Sequence, residues 1–109
     1  MFHYIELHYD EKIKVETLAA MINYNTQYFT RYFKQHTGET PIEYVTRIRL
    51  EKALEMLMDT DKSVLDISLD CGFESCSYFI KRFTKFKKQT PHSYRNTLKE
   101  HKILDHEKM

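Results

Sequence analysis

The feature that most constrains this chain is a motif stated twice at one spacing. Tyr28-Phe29-x-x-x-Phe33 followed by Thr40-Pro41-x-x-Tyr44 returns as Tyr78-Phe79-x-x-x-Phe83 followed by Thr90-Pro91-x-x-Tyr94. Six positions match at an offset of fifty residues within a chain of 109. A repeat of about half the length implies two copies of one small unit, each burying one face of its aromatics. With only two Gly and two Pro, the chain has few residues for hairpins or long loops, so the units are helical.

Helical spacing locates the pieces. Phe2, Ile5 and Tyr9 predict a short first helix, and Val15, Leu18, Ala19 and Ile22 a second. Asn23-Tyr24-Asn25 reads as a compact break, after which Thr26 is expected to cap a helix running to about Thr37, with Phe29, Tyr32, Phe33 and His36 on its inner stripe. Gly38 suits a left-handed helix end. Thr40-Pro41 opens a longer helix to about Met58, a capping hydroxyl followed by proline in the first turn.

After the polar loop at residues 59–63, the second copy repeats the plan. Val64, Ile67, Ser68 and Cys71 share a face, and Gly72 turns the chain. Ser75 starts a helix to about Lys87 with Phe79, Phe83 and Phe86 inward, and Thr90-Pro91 opens a last helix to about Leu98. The two turns differ by one residue: Ala19 to Tyr28 is nine positions, Ser68 to Tyr78 ten. The charged stretch 99–109 is expected to fray.

A net charge of +1 hides segregation. Residues 74–102 reach +6, from Lys81, Arg82, Lys85, Lys87, Lys88, Arg95, Lys99 and Lys102 against Glu74 and Glu100, while residues 51–73 sum to −4. Residues 26–50 sum to +2, so positive charge coincides with both copies of the aromatic motif. No apolar run approaches the roughly 18–20 residues of a membrane span. The start carries no basic segment ahead of an apolar stretch, and Cys71 and Cys76 read as reduced, packing thiols of a cytoplasmic protein.

Two helices joined by a tight turn, the second exposing a polar stripe, form a helix-turn-helix. The DNA major groove, about 12 Å wide, admits one helix and shows a distinct set of donors, acceptors and methyl groups at each base pair. Opposite Phe29 and Phe33 lie Gln27, Thr30, Arg31 and Lys34, residue types that suit adenine, the thymine methyl, guanine and phosphate. The matching stripe in the second copy is Ser77, Ile80, Lys81 and Thr84, poorer in bidentate donors. Lys34, Arg47, Lys85, Lys87 and Arg95, with the helix starts at Thr26 and Ser75, are the expected phosphate contacts, because helix N-termini attract anions.

The run Tyr28-Phe29-Thr30-Arg31-Tyr32-Phe33-Lys34, with Gly38, Thr40-Pro41, Tyr44, Arg49 and Ala53, resembles the DNA-binding domain of the AraC/XylS family of bacterial transcription regulators. Ile67, Gly72-Phe73-Glu74-Ser75, Tyr78-Phe79, Phe83 and Thr90-Pro91 with Tyr94-Arg95 carry the same likeness, which extends from Phe2 to Leu98. Ser68 stands where the family usually has Ala. Lys88 stands where a Gly is common and is a further expected phosphate contact. The resemblance implies an all-α fold of about seven helices: lobe one over about 1–45, a linker helix over about 41–58 and lobe two over about 62–98. It assigns base contacts to Gln27, Thr30, Arg31, Ser77 and Lys81.

Double-stranded DNA is then the expected partner, with no cofactor and no metal. RNA polymerase, and a sensing or receiver domain in a longer chain, are the further partners it implies. A chain of this kind is expected to be a piece of a larger regulator. The competing reading is a protein-interaction module that uses the acidic 51–73 stretch (Asp59, Asp61, Asp66, Asp70) and binds DNA weakly. An enzyme is disfavoured: the chain carries no phosphate-cradling Gly motif and no metal-ligand spacing.

Overall fold

The computed structural model describes residues 1–107, with side chains described through residue 100. Seven α-helices make up the described residues: α1 (Phe2–His8), α2 (Val15–Met21), α3 (Thr26–Thr37), α4 (Pro41–Asp59), α5 (Val64–Asp70), α6 (Cys76–Lys87) and α7 (Pro91–Glu107). There is no strand among them. The α7 backbone stays helical well past Leu98, where the sequence pattern ends it. The expected fraying of 99–109 falls, for side chains from 101 and for residues 108 and 109, outside the described residues.

Two compact units emerge, the first Met1–Arg49 and the second beginning at Leu50, so the division falls inside α4. The first unit buries Ile5, Leu18, Ala19, Phe29, Phe33, Val45 and Ile48 as one cluster. The second buries Leu50, Ala53, Leu57, Ile67, Ser68, Cys71, Phe73, Phe79 and Phe83. Within each, the paired phenylalanines touch ring to ring, Phe29–Phe33 at 5.6 Å and Phe79–Phe83 at 5.7 Å between centroids. Tyr44 closes on Phe33 edge-on at 5.5 Å, and Tyr94 on Phe83 at 5.7 Å. Each fully buried Phe contributes about 1.5–3 kcal/mol relative to exposure.

The turns of the two copies share one hydrogen-bond plan. Tyr24 N donates to Ala19 O, and Phe73 N donates to Ser68 O, both at 3.0 Å. The residue before each takes the left-handed conformation, Asn23 at φ 59° and Gly72 at φ 92°. These matches run at an offset of forty-nine, whereas the following helices match at fifty. Glu74 is therefore the extra residue, placed after the bonded turn and before the next cap.

That cap corrects the sequence reading in the first copy. Asn25 is the N-cap of α3, its side chain accepting from Tyr28 N at 2.8 Å, and Thr26 is the first helical residue. Ser75 does the same for α6, accepting from Tyr78 N at 3.1 Å. At α4 the expected hydroxyl cap is half of a reciprocal pair. Glu43 N donates to Thr40 Oγ1, and Thr40 N donates to the Glu43 carboxylate, both at 3.2 Å. Thr90 accepts from Ser93 N at 3.1 Å, and Ser93 cannot return the favour with a carboxylate.

Two residues expected inward are not. His36 is exposed and meets the Tyr32 ring at a tilt, 4.2 Å between centroids, and Phe86 remains 36% exposed with Lys87 Nζ 5.2 Å from its ring. They are matched positions of the repeat, each in the last turn of its helix, where the inner stripe runs past the packed core.

Cys71 is buried and Cys76 half-buried, and both are free thiols. Cys71 Sγ sits 3.8 Å from Met56 Sδ, consistent with a packing role. No helix among the described residues is long and apolar enough to cross a membrane.

Candidate nucleic-acid interface

α3 and α6 are each twelve residues, side-chain capped at the start and closed by a left-handed residue, Gly38 and Lys88. Burial of Phe29 with Phe33 fixes the rotation of α3, and burial of Phe79 with Phe83 fixes that of α6. The opposite stripes therefore face out by helical geometry. Gln27, Arg31 and Lys34 are exposed on α3, as are Ser77, Ile80 and Lys81 on α6; Thr30 and Thr84 are partly covered.

Thr26, Gln27, Thr30 and Arg31 together line one open concavity, which brings four of the first lobe's predicted residues side by side; Lys34 and Arg47 do not line it. Next to it, Tyr28, Arg31, Tyr32 and Gln35 line a second. Arg31 borders both. Tyr24, Tyr28 and Tyr32 cluster here, Tyr24 meeting Tyr28 edge-on at 4.8 Å and Tyr32 edge-on at 5.4 Å, with Tyr28 and Tyr32 stacked at 6.3 Å. Sequence reasoning did not single out this tyrosine series as a unit; the i, i+4, i+8 spacing is the signal that finds it.

Thr30 Oγ1 donates to Thr26 O at 2.9 Å, and Thr84 Oγ1 donates to Ile80 O at 2.7 Å. Both hydroxyls spend their proton within the helix, leaving a methyl group and an acceptor lone pair for anything outside it.

Lys85, Lys87 and Lys88 are exposed at the end of α6, where cations also complement the helix dipole. Two arginines expected on phosphate are engaged elsewhere. Arg47 Nε pairs with the Glu39 carboxylate at 2.9 and 3.2 Å, its guanidinium 5.0 Å from the Tyr44 ring centroid. Arg95 donates to Leu57 O at 3.3 Å, Thr60 O at 3.2 Å and Lys62 O at 2.6 Å, binding α7 to the end of α4 and its loop. Arg49 has a like role in the first unit, donating to Tyr9 O at 2.6 Å and Glu11 O at 2.8 Å. Carbonyls at helix ends and loops need such donors, and a forked guanidinium reaches several at once.

The acidic stretch is separate in character. Lys62 Nζ lies 2.7 Å from the Asp70 carboxylate, whose hydrogen bond and charge raise the lysine's pKa. Among the described residues, no group of three or more His, Cys, Asp or Glu could hold a metal ion.

Residues 18–97 match the family model described as a helix-turn-helix domain. The chain is 37% identical over 95 residues to the uncharacterized HTH-type transcriptional regulator YobQ of Bacillus subtilis, covering 87% of this chain and 39% of that protein. It is 37% identical over 92 residues to the HTH-type transcriptional activator RhaS of an Enterobacter species, covering 84% of this chain and 33% of the relative. The chain thus spans a third to two fifths of the length of these curated relatives. Among solved structures, the DNA-binding domain of the global transcriptional factor AdpA, in complex with a target DNA, superposes with a TM-score of 0.87 at 28% identity, covering 92% of this chain and 90% of that one. With the duplicated helix-turn-helix, the matched family model and these likenesses together, the chain belongs to the AraC-type helix-turn-helix DNA-binding domain family of transcription regulators, which is not an enzyme family.

Proposed function

We propose that this chain is a sequence-specific reader of double-stranded DNA that serves as the output domain of a cytoplasmic transcription regulator. The observation that carries the reading is the matched pair α3 and α6: equal length, equal capping, equal aromatic anchoring, and an outward stripe able to meet base edges on each. A groove-reading helix needs that division of labour between an anchored face and an accessible one. In this assignment Gln27, Thr30 and Arg31 read bases for the first lobe, with Ser77 and Lys81 for the second. Thr26 and Ser75 at the helix starts, with Lys34, Lys85, Lys87 and Lys88, hold phosphates. Arg47 and Arg95 are left out, because a carboxylate and backbone carbonyls already use them. A sensing or receiver domain in a longer chain, and RNA polymerase, are the partners this output role calls for.

Selection of sites from random duplexes is the direct test. Two recognition elements about one helical turn apart, 10–10.5 base pairs, are the expected result. Retention of duplexes without any shared sequence would leave only backbone binding.

One feature favours a second reading, docking of a protein on α5. Leu65 and Leu69 are 53% and 54% exposed, one helical turn apart, beside Asp66 and Asp70. Capture of polymerase without DNA, together with no gel shift on selected duplexes, would make that the main function.

A further inference from the structure

The repeat pairs Thr30 on α3 with Ile80 on α6, and these two positions share a chemistry that their residue types conceal. Thr30 looks like a hydrogen-bond donor, but its proton is committed to Thr26 O at 2.9 Å. Its methyl group remains uncommitted, on a residue that lines the concavity formed with Thr26, Gln27 and Arg31. Ile80 has only methyl and methylene groups to offer. It is 36% exposed, three residues after Ser77 and directly before Lys81, within the outward stripe.

An isolated exposed aliphatic residue carries no message by itself. The register of this one does: it stands where the other copy also offers a methyl, between two residues assigned to the same groove. One base-edge group in the major groove is apolar, the C5-methyl of thymine; 5-methylcytosine carries the same group. Isoleucine suits such a partner because its β-branch restricts χ1, so its surface is formed before binding. The next turn is prepared in the same way, since Thr84 directs its proton to Ile80 O at 2.7 Å.

We propose that Ile80 is a specificity-determining residue of the second lobe, reading the 5-methyl group of a pyrimidine in the major groove, as the counterpart of Thr30 in the first. The proposal rests on the DNA-binding reading above and adds a base preference to a stripe otherwise short of bidentate donors.

The test uses the full chain and its best selected duplex. Each thymine is replaced singly by deoxyuridine, which removes the methyl group and changes no hydrogen-bonding atom. One replacement is expected to weaken binding about fourfold, the effect of one methyl withdrawn from apolar contact. That sensitivity should disappear in Ile80→Ala and persist in Ile80→Val, while a different thymine should lose its sensitivity in Thr30→Ser. Placing 5-methylcytosine rather than cytosine at the critical position should restore part of the affinity, which separates methyl recognition from recognition of the thymine carbonyl. Selective binding in which no uracil effect depends on Ile80 overturns the proposal and leaves DNA reading intact. Absence of any sequence preference overturns both.

Discussion

Gly38 and Lys88 close α3 and α6 in the same left-handed conformation, at φ 82° and 62°, each returning its amide to the carbonyl four residues back. Only the glycine does so without strain. A Cβ built at Gly38 would meet no heavy atom within 4 Å, so the difference between the two sites is carried by the backbone. Lys88→Gly is therefore expected to stabilise the fold by about 0.5–1 kcal/mol, and Gly38→Lys to destabilise it by about 1 kcal/mol. Urea unfolding of both variants measures this. Because Lys88 is also assigned to a phosphate, the stabilised variant should bind DNA with a shallower salt dependence.

Arg95 holds three carbonyls, one in the last turn of α4 and two in the loop after it. Removing it by Arg95→Ala should cost about 1.5–3 kcal/mol, as expected for charge-assisted hydrogen bonds. The Lys variant should recover only a fraction, since one ammonium cannot reproduce the fork. The salt slope of DNA binding by the folded Lys variant separates the two assignments. An unchanged slope fits a structural arginine, and a slope lowered by about one fits a phosphate contact.

Base reading and backbone grip should respond differently to mutation. Arg31→Ala is expected to cost about 1–3 kcal/mol on the selected site and to relax preference at one position. Lys87→Ala should weaken binding to every duplex alike and flatten its salt dependence. Equal losses for Arg31→Ala on cognate and scrambled duplexes would count against base reading at that residue.

The caps offer an internal comparison. Asn25→Ala and Ser75→Ala should each destabilise by about 1 kcal/mol, whereas Thr26→Ala should fall well below that. Thermal unfolding ranks the three. A Thr26 variant as costly as Asn25→Ala would return the capping role to the threonine.

What the sequence disclosed and what it hid divide along a physical line. The buried phenylalanines, the threonine-proline openings and Gly38 were all legible, because helical period and backbone chemistry act locally. The identity of the α3 cap was not, since Asn25 and Thr26 can both accept from a first-turn amide. The repeat itself would have chosen between them, because Asn25 lies fifty residues before Ser75. The partners of Arg47 and Arg95, both read as phosphate contacts, were hidden for the opposite reason. Positive charge is visible in sequence, but the Glu39 carboxylate and the carbonyls of residues 57, 60 and 62 that absorb it are known only after folding. His36 and Phe86 show where periodicity itself fails: a stripe can continue for one turn after there is nothing left to pack against.

The single added residue, Glu74, lies between a closed turn and an intact cap, and disturbs neither. Each probe from cap to left-handed stop, 25–38 and 75–88, is consequently a cassette of identical length with self-contained ends. Duplication followed by divergence could rewrite the outward letters of either cassette while its supports stayed constant. Exchange of the two segments is the corresponding route to a protein whose halves swap their preferences.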